Sequence, residues 1–314
     1  MKFSRSRQFR LPRLGRLAVR AGLPLLVLAA AGVFFYRPPV LFVSDTGFDA
    51  LYGFRRGLTE QIYLSLRLFR RVERVTIAEN ANPEALVFAI EEKETRPGAV
   101  LGPVRYSRGL ERYARQRPDV RVTVIGQGPG SSDGLNRLPP GEGGPDFVFP
   151  DAPLNSWRAG RCAALLAGDA GGIVLVFQEN RDFPVHREAF LAGLQEENKN
   201  LVPVYLELSS SYSSWGQVRC VVLGGAAEAY LNRDNEVPSL LYSWMDSALT
   251  PSKVKVIGDD SPWALAYRAL RTFPAGETSV PARFRIPPGR VGDSGLREKL
   301  KKAFNSPAPP GFFW

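Results

Sequence analysis

The sequence has few of the residues that metal sites and common catalytic sites require. Its 314 residues include one histidine, His186, and two cysteines, Cys162 and Cys220, which form no C-x-x-C pair. Zinc sites and thioredoxin-like redox sites need clustered cysteine or histidine residues, and a Ser-His-Asp triad would have a single candidate base. No G-x-S-x-G turn and no Walker sequence is present. The sequence therefore argues against an enzyme, a metal site and a bound cofactor.

Two weaker patterns, a glycine-rich stretch and the cysteine pair, do not change this conclusion. GQGPG at 126–130 follows a predicted strand, but Pro129 removes a backbone N–H donor and no helical pattern follows. A phosphate-binding turn is therefore not predicted there. Cys162 and Cys220 fit two interpretations equally, a disulfide of an exported protein or two buried thiols. His186 fits a surface or helix-capping role.

Acidic residues are missing from the first 37 positions, which hold eight basic residues. The formal net charge of the whole chain is +10, so most of the excess charge belongs to this segment and the rest of the chain is close to neutral. A basic body of the kind that binds nucleic acid is therefore not predicted.

An apolar run, AGLPLLVLAAAGVFFY at 21–36, follows seven of these positive charges. This order is typical of a secretory signal peptide or a signal anchor. Ala29-x-Ala31 suits a cleavage site. Extension of the run to 17–36 gives the twenty residues that span a bilayer, and the aromatic residues 34–36 resemble an interfacial belt.

We favour the uncleaved anchor over 17–36, preceded by a cationic cytoplasmic tail over 1–16. The positive-inside rule then places the remaining chain on the periplasmic side of the cytoplasmic membrane, tethered by the anchor. If the segment is cleaved, the protein is secreted.

The rest of the chain alternates predicted strands with helical patterns. Ten strands are predicted, at 40–44, 72–78, 98–104, 120–126, 146–150, 171–177, 202–208, 218–224, 239–244 and 254–259. Several are nearly continuous apolar runs, which is typical of parallel strands buried on both faces. Ten strands are too many for one compact sheet in a chain of this length. The sequence therefore predicts an α/β fold of two doubly wound parallel-sheet lobes with a ligand cleft between them.

The boundary between the two lobes is predicted at the end of a Gly/Pro/Ser-rich segment, residues 127–145. The N-terminal lobe is expected over 38–145, rejoined by about 261–285, and the C-terminal lobe over 146–260. A Pro-rich, irregular tail is expected over 286–314.

The first predicted helix carries a clear apolar periodicity. The apolar residues at spacings of three and four are Leu51, Phe54, Leu58, Ile62, Leu66 and Phe69. This pattern predicts one face packed on the core. The arginines of the opposite face are Arg55, Arg56, Arg67, Arg70 and Arg71, and they are expected to be solvated.

Carboxylates follow several predicted strands. Asp45 follows the first strand, Asp246 follows the strand at 239–244, and Asp259 ends the last. Ligands of open α/β sheets bind outside the carboxyl ends of the strands, where carboxylates can accept hydrogen bonds from sugar hydroxyls. Phe48 and Trp244 lie near the same edges and could stack on a ring. Ordinary turn or capping aspartates and core aromatics are the alternatives.

Four stretches in this order resemble the basic membrane protein family of nucleoside-binding proteins, within the type I periplasmic binding protein superfamily. They are GAVLGPVRYSRGLERYARQRPDVRVTVIGQ (98–127), NSWRAGRCAALLAGDAGGIVLVFQENRDFPVHREAFLAGLQ (155–195), VVLGGAAEAY (221–230) and SWMDSALTPSKVKVIGDDSPWALAYRAL (243–270). Together they cover most of residues 40–270.

The resemblance implies site residues. Asp246 matches an aspartate that binds ligand hydroxyls, and Gly225 lies in a turn that approaches the ligand. Asp45 and Phe48 fall in the first ligand loop, and Phe183 lies near a position that offers an aromatic contact. Trp244, Gln127 and Asp259 complete the predicted ligand-binding set.

The sequence thus predicts an extracytoplasmic solute-binding protein that closes two lobes on a small polar ligand, nucleoside- or sugar-like. Its expected partners are an ABC-type permease or a membrane sensor, and the membrane itself through the N-terminal segment. The alternative is a non-catalytic envelope interaction or structural protein with a degenerate cleft. It is motivated by a first loop shorter than the family's and by Asp260, which stands where the family has a ligand-contacting lysine.

Overall fold

A computed structural model describes residues 31–45, 54–79, 81–93, 96–126, 144–178, 186–207, 212–224, 236–242, 252–259, 262–272 and 276–307. The strands are β1 (Val40–Asp45), β2 (Val72–Ile77), β3 (Ala99–Pro103), β4 (Arg121–Ile125), β5 (Asp146–Pro150), β6 (Gly172–Gln178), β7 (Leu201–Glu207), β8 (Val218–Gly224), β9 (Ser239–Tyr242), β10 (Val254–Asp259), β11 (Glu277–Val280) and β12 (Arg283–Arg285). The helices are α1 (Phe54–Leu68), α2 (Pro83–Lys93), α3 (Ser107–Gln116), α4 (Ala152–Ala167), α5 (Arg187–Glu197), α6 (Pro262–Thr272) and α7 (Ser294–Asn305). Residues 31–36 are also helical.

The strands form two sheets. The order in the first sheet is β11-β5-β4-β3-β1-β2, and the order in the second is β12-β10-β9-β8-β6-β7. Neighbouring strands are parallel in both sheets, except that β12 pairs antiparallel with β10. Apolar clusters lie on both faces of each sheet. The predicted architecture of two parallel α/β lobes is confirmed.

The chain passes between the two sheets three times, after β5, after β10 and after β11. The boundary expected at residue 146 therefore differs from the division of the sheets, because β5 belongs to the first sheet and the crossing follows Pro150. The partner of β5 on its outer side is β11, which comes more than a hundred residues later. No local pattern around Asp146 could reveal that pairing.

The segment expected to be an irregular tail also differs. Residues 294–305 form α7, whose N-cap Asp293 accepts hydrogen bonds from the backbone N–H groups of Gly295 and Leu296. Leu300 and Phe304 of α7 are buried in the core of the second lobe. Proline in the flanking sequence masks this helix, because Pro is common just outside a helix as well as in loops.

Helix α1 is rotated relative to the prediction. Leu64 is the side chain that α1 buries against the first sheet, with 1% of it exposed. The Gln61 amide donates to the Val72 carbonyl oxygen at 2.7 Å, and the Ser65 hydroxyl accepts from the Val72 N–H at 3.0 Å. These bonds direct the polar side of the helix toward the start of β2.

The predicted inward face consequently points outward. Leu58, Ile62, Leu66 and Phe69 are 48%, 52%, 70% and 40% exposed. The expectation that these four residues pack on the core is wrong. The positions of Leu51 and of the Phe54 side chain lie outside the described residues.

Cys162 and Cys220 are free thiols in one apolar cluster of the second lobe. Of the two interpretations of the cysteines, the structure therefore shows buried thiols and no disulfide between them. Burial raises the pKa of both thiols, that of Cys220 to about 12. Neither is a reactive thiolate at neutral pH.

Residues 1–30, which include most of the predicted anchor, lie outside the described part of the chain. Within the described part, no helix has the length and apolar character needed to cross a bilayer.

Candidate functional site

The carboxyl ends of β1 and β3 lie side by side at the point where the strand order of the first sheet reverses. The chain runs from β1 to β2 on one side and then places β3 on the other side of β1. Helices that leave in opposite directions open a crevice at such a point, and ligands of open α/β sheets bind there. The corresponding point of the second sheet lies between β6 and β8.

Asp45, which ends β1, is at the first of these points and is fully buried. Its Oδ1 accepts a hydrogen bond from Arg105 Nη2 at 2.7 Å, and its Oδ2 accepts a short hydrogen bond from the Tyr106 hydroxyl. The Arg105 guanidinium also lies over the Tyr106 ring, 5.3 Å from its centroid. Both carboxylate oxygens therefore have protein partners, and the carboxylate holds the Arg105 and Tyr106 side chains in place.

Arg105 is the member of this cluster that reaches solvent. Its side chain is 38% exposed, whereas that of Asp45 is 0% exposed. The position follows from the local sequence, because Pro103 ends β3 and the single 3₁₀ turn Val104–Tyr106 sets Arg105 and Tyr106 before α3. Sequence reasoning missed Arg105, although VRY directly after the third strand marks it at the edge where ligands bind.

A second arginine supports the same edge from β2. Arg74 Nη2 donates to the hydroxyl of Ser44, which is fully buried, at 2.9 Å. Ser44 and Asp45 are thus each bonded by an arginine, and the buried polar end of β1 is held in one arrangement.

The buried Tyr106 hydroxyl makes the cluster sensitive to alkaline pH. Burial and the hydrogen bond to Asp45 raise the pKa of Tyr106 to about 12, above the value near 10 of an unfolded tyrosine. A group whose pKa is raised on folding contributes stability that is present below pH 10 and lost as the pH rises toward 12. We expect the free energy of unfolding to fall over this interval in denaturant titrations. The fall should be smaller in Tyr106→Phe, and an equal fall in the variant would contradict this assignment.

Asp259 is the other predicted site residue within the described part of the chain. It ends β10 and stands opposite Arg283 of β12 in the antiparallel register. Strands β9 and β8 lie between β10 and β6, so Asp259 is at the carboxyl edge of the second sheet but away from its reversal point.

The remaining predicted site residues lie outside the described residues: Phe48, Gln127, Phe183, Gly225, Trp244 and Asp246. Phe183 and Gly225 follow β6 and β8 in the sequence, the two strands that flank the second reversal point.

A cavity of about 560 Å³ lies elsewhere, between β12, the turn after it and α7. Its lining includes Arg285, Arg297 and Lys301 and none of the predicted ligand-binding residues. Arg297 donates to the Val291 carbonyl oxygen at 2.6 Å, and Lys301 pairs with Glu298 at 2.7 Å. Two of its three cations are thus already used within the second lobe.

Comparison with known proteins identifies solved structures of similar fold but no sequence family. No family model matches the chain, and no curated protein matches it in sequence. A transcriptional activator of the comK gene from Bacillus halodurans superposes with a TM-score of 0.61 at 14% identity, covering 85% of this chain and 96% of its own. An ABC transporter solute-binding protein from Conexibacter woesei superposes with a TM-score of 0.58 at 16% identity, covering 88% of this chain and 99% of its own. The arabinose-binding protein AraP from Geobacillus stearothermophilus superposes with a TM-score of 0.55 at 12% identity, covering 81% of this chain and 98% of its own.

These similarities agree with the two parallel α/β sheets described above. The chain shares its fold with these solved proteins, two of which are a solute-binding protein of an ABC transporter system and an arabinose-binding protein. A particular relation to the basic membrane protein family is not shown by these structures.

Proposed function

We propose that the protein is an extracytoplasmic solute-binding protein that closes its two lobes on a small sugar-like ligand. The fold supports this proposal, as does the signal-like N-terminal sequence. The cluster of Asp45, Arg105 and Tyr106 at the carboxyl edge of the first sheet supports it too. A sugar is preferred to a nucleoside because arabinose is the ligand in the name of one protein of similar fold.

The observation that carries the proposal is the arrangement of Arg105. Its guanidinium is held by the buried Asp45 carboxylate and the Tyr106 ring, yet 38% of the side chain remains exposed at the reversal point of the first sheet. A guanidinium has five N–H donors in a fixed plane. With one side fixed by Asp45, the others are oriented in advance for the hydroxyl and ring oxygens of a sugar, which lowers the entropy lost on binding.

The crossings between the lobes provide the hinge. The side chain of Asn155, in α4, accepts a hydrogen bond from the Ala282 N–H at 2.7 Å, and the Asp151 N–H donates to the Val280 carbonyl oxygen at 2.8 Å. These bonds join the first and third crossings, so the connections bend together. A ligand that contacts both lobes stabilises the closed state, and a membrane partner detects that closure. No covalent step is involved.

The N-terminal segment completes the proposal. We infer that residues 17–36 hold the protein at the outer face of the cytoplasmic membrane, where an ABC-type permease or a membrane sensor is the partner. The sequence order of cationic tail, apolar run and aromatic residues supports this.

One observation favours a second function, that of a non-catalytic interaction or structural protein with a degenerate cleft. Both carboxylate oxygens of Asp45 are bonded within the protein and its side chain is fully buried, so it presents no exposed oxygen to ligand hydroxyls.

A thermal-shift screen separates the two functions. With a panel of pentoses, hexoses and nucleosides, we expect a saturable rise in Tm for at least one sugar, because a ligand at 100 times its Kd adds about 2.7 kcal/mol to the folded state. Arg105→Gln should abolish most of the rise. Arg112→Gln is the matched control, because Arg112 is exposed on α3 and pairs with the exposed Glu84.

The possible outcomes have different consequences. No rise in Tm with any compound would contradict solute binding and favour the second function. A rise that Arg105→Gln leaves unchanged would contradict the role of Arg105 alone.

A further inference from the structure

Exposed large apolar side chains are concentrated on one side of the first lobe. Ten such side chains occur among the described residues, and eight of them lie in two neighbouring pieces of chain. The first piece is residues 33–36 of the N-terminal helical segment. The second is one side of α1 together with Phe69, which follows the last residue of the helix. The exposed side chains are Val33, Phe35, Tyr36, Leu58, Ile62, Tyr63, Leu66 and Phe69. We call these eight the lobe-one apolar surface. Patches of this kind mark binding to another protein or to a membrane.

The two pieces form one continuous surface. The Phe34 ring packs edge-on against Phe69 at 5.8 Å and against Phe35 at 5.3 Å. Leu58, Ile62 and Leu66 follow at spacings of four along α1, which places them in one row on the helix. The described part of the lobe does not cover this row, because Leu64, Gln61 and Ser65 are the side chains of α1 that face the sheet.

The backbone at Phe69 adopts a conformation that is unfavourable for a residue with a side chain. Phe69 has φ of 49°, in the left-handed region where helix ends usually carry glycine. Its N–H and that of Arg70 close the end of α1 by bonding to the carbonyl oxygens of Leu66 and Ser65. Glycine would satisfy this turn without strain, yet the chain places there an aromatic ring that is 40% exposed.

Several arginines lie near the surface, and the described part of α1 also carries one acidic residue, Glu60. Arg37 follows the N-terminal segment, and Arg67 lies over the rings of Tyr63 and Tyr267 at 5.6 and 6.0 Å. Arg70 has its pKa lowered by burial and by the nearby Arg37, so two cations repel each other beside the apolar row. A polyanionic surface would relieve this repulsion.

We propose that the lobe-one apolar surface lies on the headgroup region of a bilayer that contains anionic lipids. An apolar row with aromatic residues and flanking arginines is the composition of interfacial membrane helices. Residues 33–36 of this surface are also the end of the apolar run at 17–36. The inference rests on the membrane location proposed above and is independent of ligand binding. Lobe one would then stay fixed on the membrane, and lobe two would move when the cleft closes.

The depth of a fluorescent label in the membrane tests this proposal in the full-length chain. Cys162 and Cys220 are fully buried, so a polarity-sensitive dye reacts selectively with an added surface cysteine. Leu66→Cys places the dye in the apolar row. Phe88→Cys is the matched control, because Phe88 is 67% exposed against 70% for Leu66 and belongs to α2, which packs with the opposite face of the first sheet.

The labelled proteins are mixed with phosphatidylcholine–phosphatidylglycerol vesicles whose acyl chains carry bromine as a quencher. At position 66 we expect a blue-shifted emission that brominated lipid quenches to about a third, because interfacial helices place their apolar face below the headgroups. At position 88 the emission of the dye should remain that of the dye in water. Ile62→Glu combined with Leu66→Cys should lose most of the quenching.

Each alternative result overturns the inference in a recognisable way. If the protein sediments with vesicles while the dye at 66 stays in water, the tether stands and the docking surface is rejected. If the protein does not bind vesicles, the membrane location and this inference both fail. A blue shift without lipid, together with a dimer mass by light scattering, would assign the surface to a second copy of the chain.

Discussion

Replacing Gly160 with alanine is expected to destabilise the second lobe by about 3 kcal/mol, the upper range for overpacking a dense core. Gly160 lies on α4 where this helix crosses α5. A Cβ atom there would collide with the carbonyl oxygen of Phe190 and would lie 2.8 Å from the Leu194 nitrogen. Gly193 of α5 faces the Trp157 backbone of α4 in the same way. Because both obstacles are helix backbone, no side chain can move aside.

Hydrogen–deuterium exchange with peptide resolution is the measurement. Peptides from α4, α5 and the second sheet should exchange faster in Gly160→Ala, while peptides from β1 to β4 should change little. Gly292→Ala is the control, because no atom lies within 4 Å of a Cβ at that position. Equal protection in the two variants would show that the helices can separate without cost.

Replacing Trp263 with alanine is expected to cost about 4 kcal/mol, within the usual range for a buried tryptophan. Trp263 is 1% exposed and stacks on Phe42 of β1, with ring centroids 4.2 Å apart. It belongs to α6, which follows strands β6 to β10 of the second sheet in the sequence yet packs on the first sheet. The loss should therefore appear in the first lobe, at a distance of more than 200 residues along the chain from β1.

Denaturant titration followed by far-UV circular dichroism gives the total loss, and hydrogen exchange shows where it occurs. Trp215→Ala is the matched control, because Trp215 is only partly buried and packs at the border of the second lobe's core. We expect about 1 kcal/mol for that variant. A Trp263→Ala protein with normal protection in β1 and β3 would mean that the first lobe does not need the returning helix.

The sequence predicted the strands well because their apolar runs are local signals. All ten expected strands are present, with ends within two residues of those expected. Strands β11 and β12 were missed because they are three or four residues long, too short for a period of two to be visible. Helix α7 was missed because prolines on both sides suggested a loop.

The sequence placed the candidate site at the end of the first strand, because connections at the carboxyl ends of parallel strands share one side of the sheet. The structure puts that strand end at the reversal point of the first sheet. The role of Asp45 depended on Arg105 and Tyr106, sixty residues away, whose contacts no local pattern reports.

The sequence by itself determined the strand–helix alternation and the two-lobed α/β class, since periodicity and apolar runs reflect burial of each element on its own. Only the tertiary structure decided which sheet β5 and α6 join, which side of α1 meets the sheet, and which groups bind Asp45. Apolar periodicity identifies an apolar face but not what covers it. Leu58, Ile62 and Leu66 therefore carry the signature of a core and lie instead on the surface.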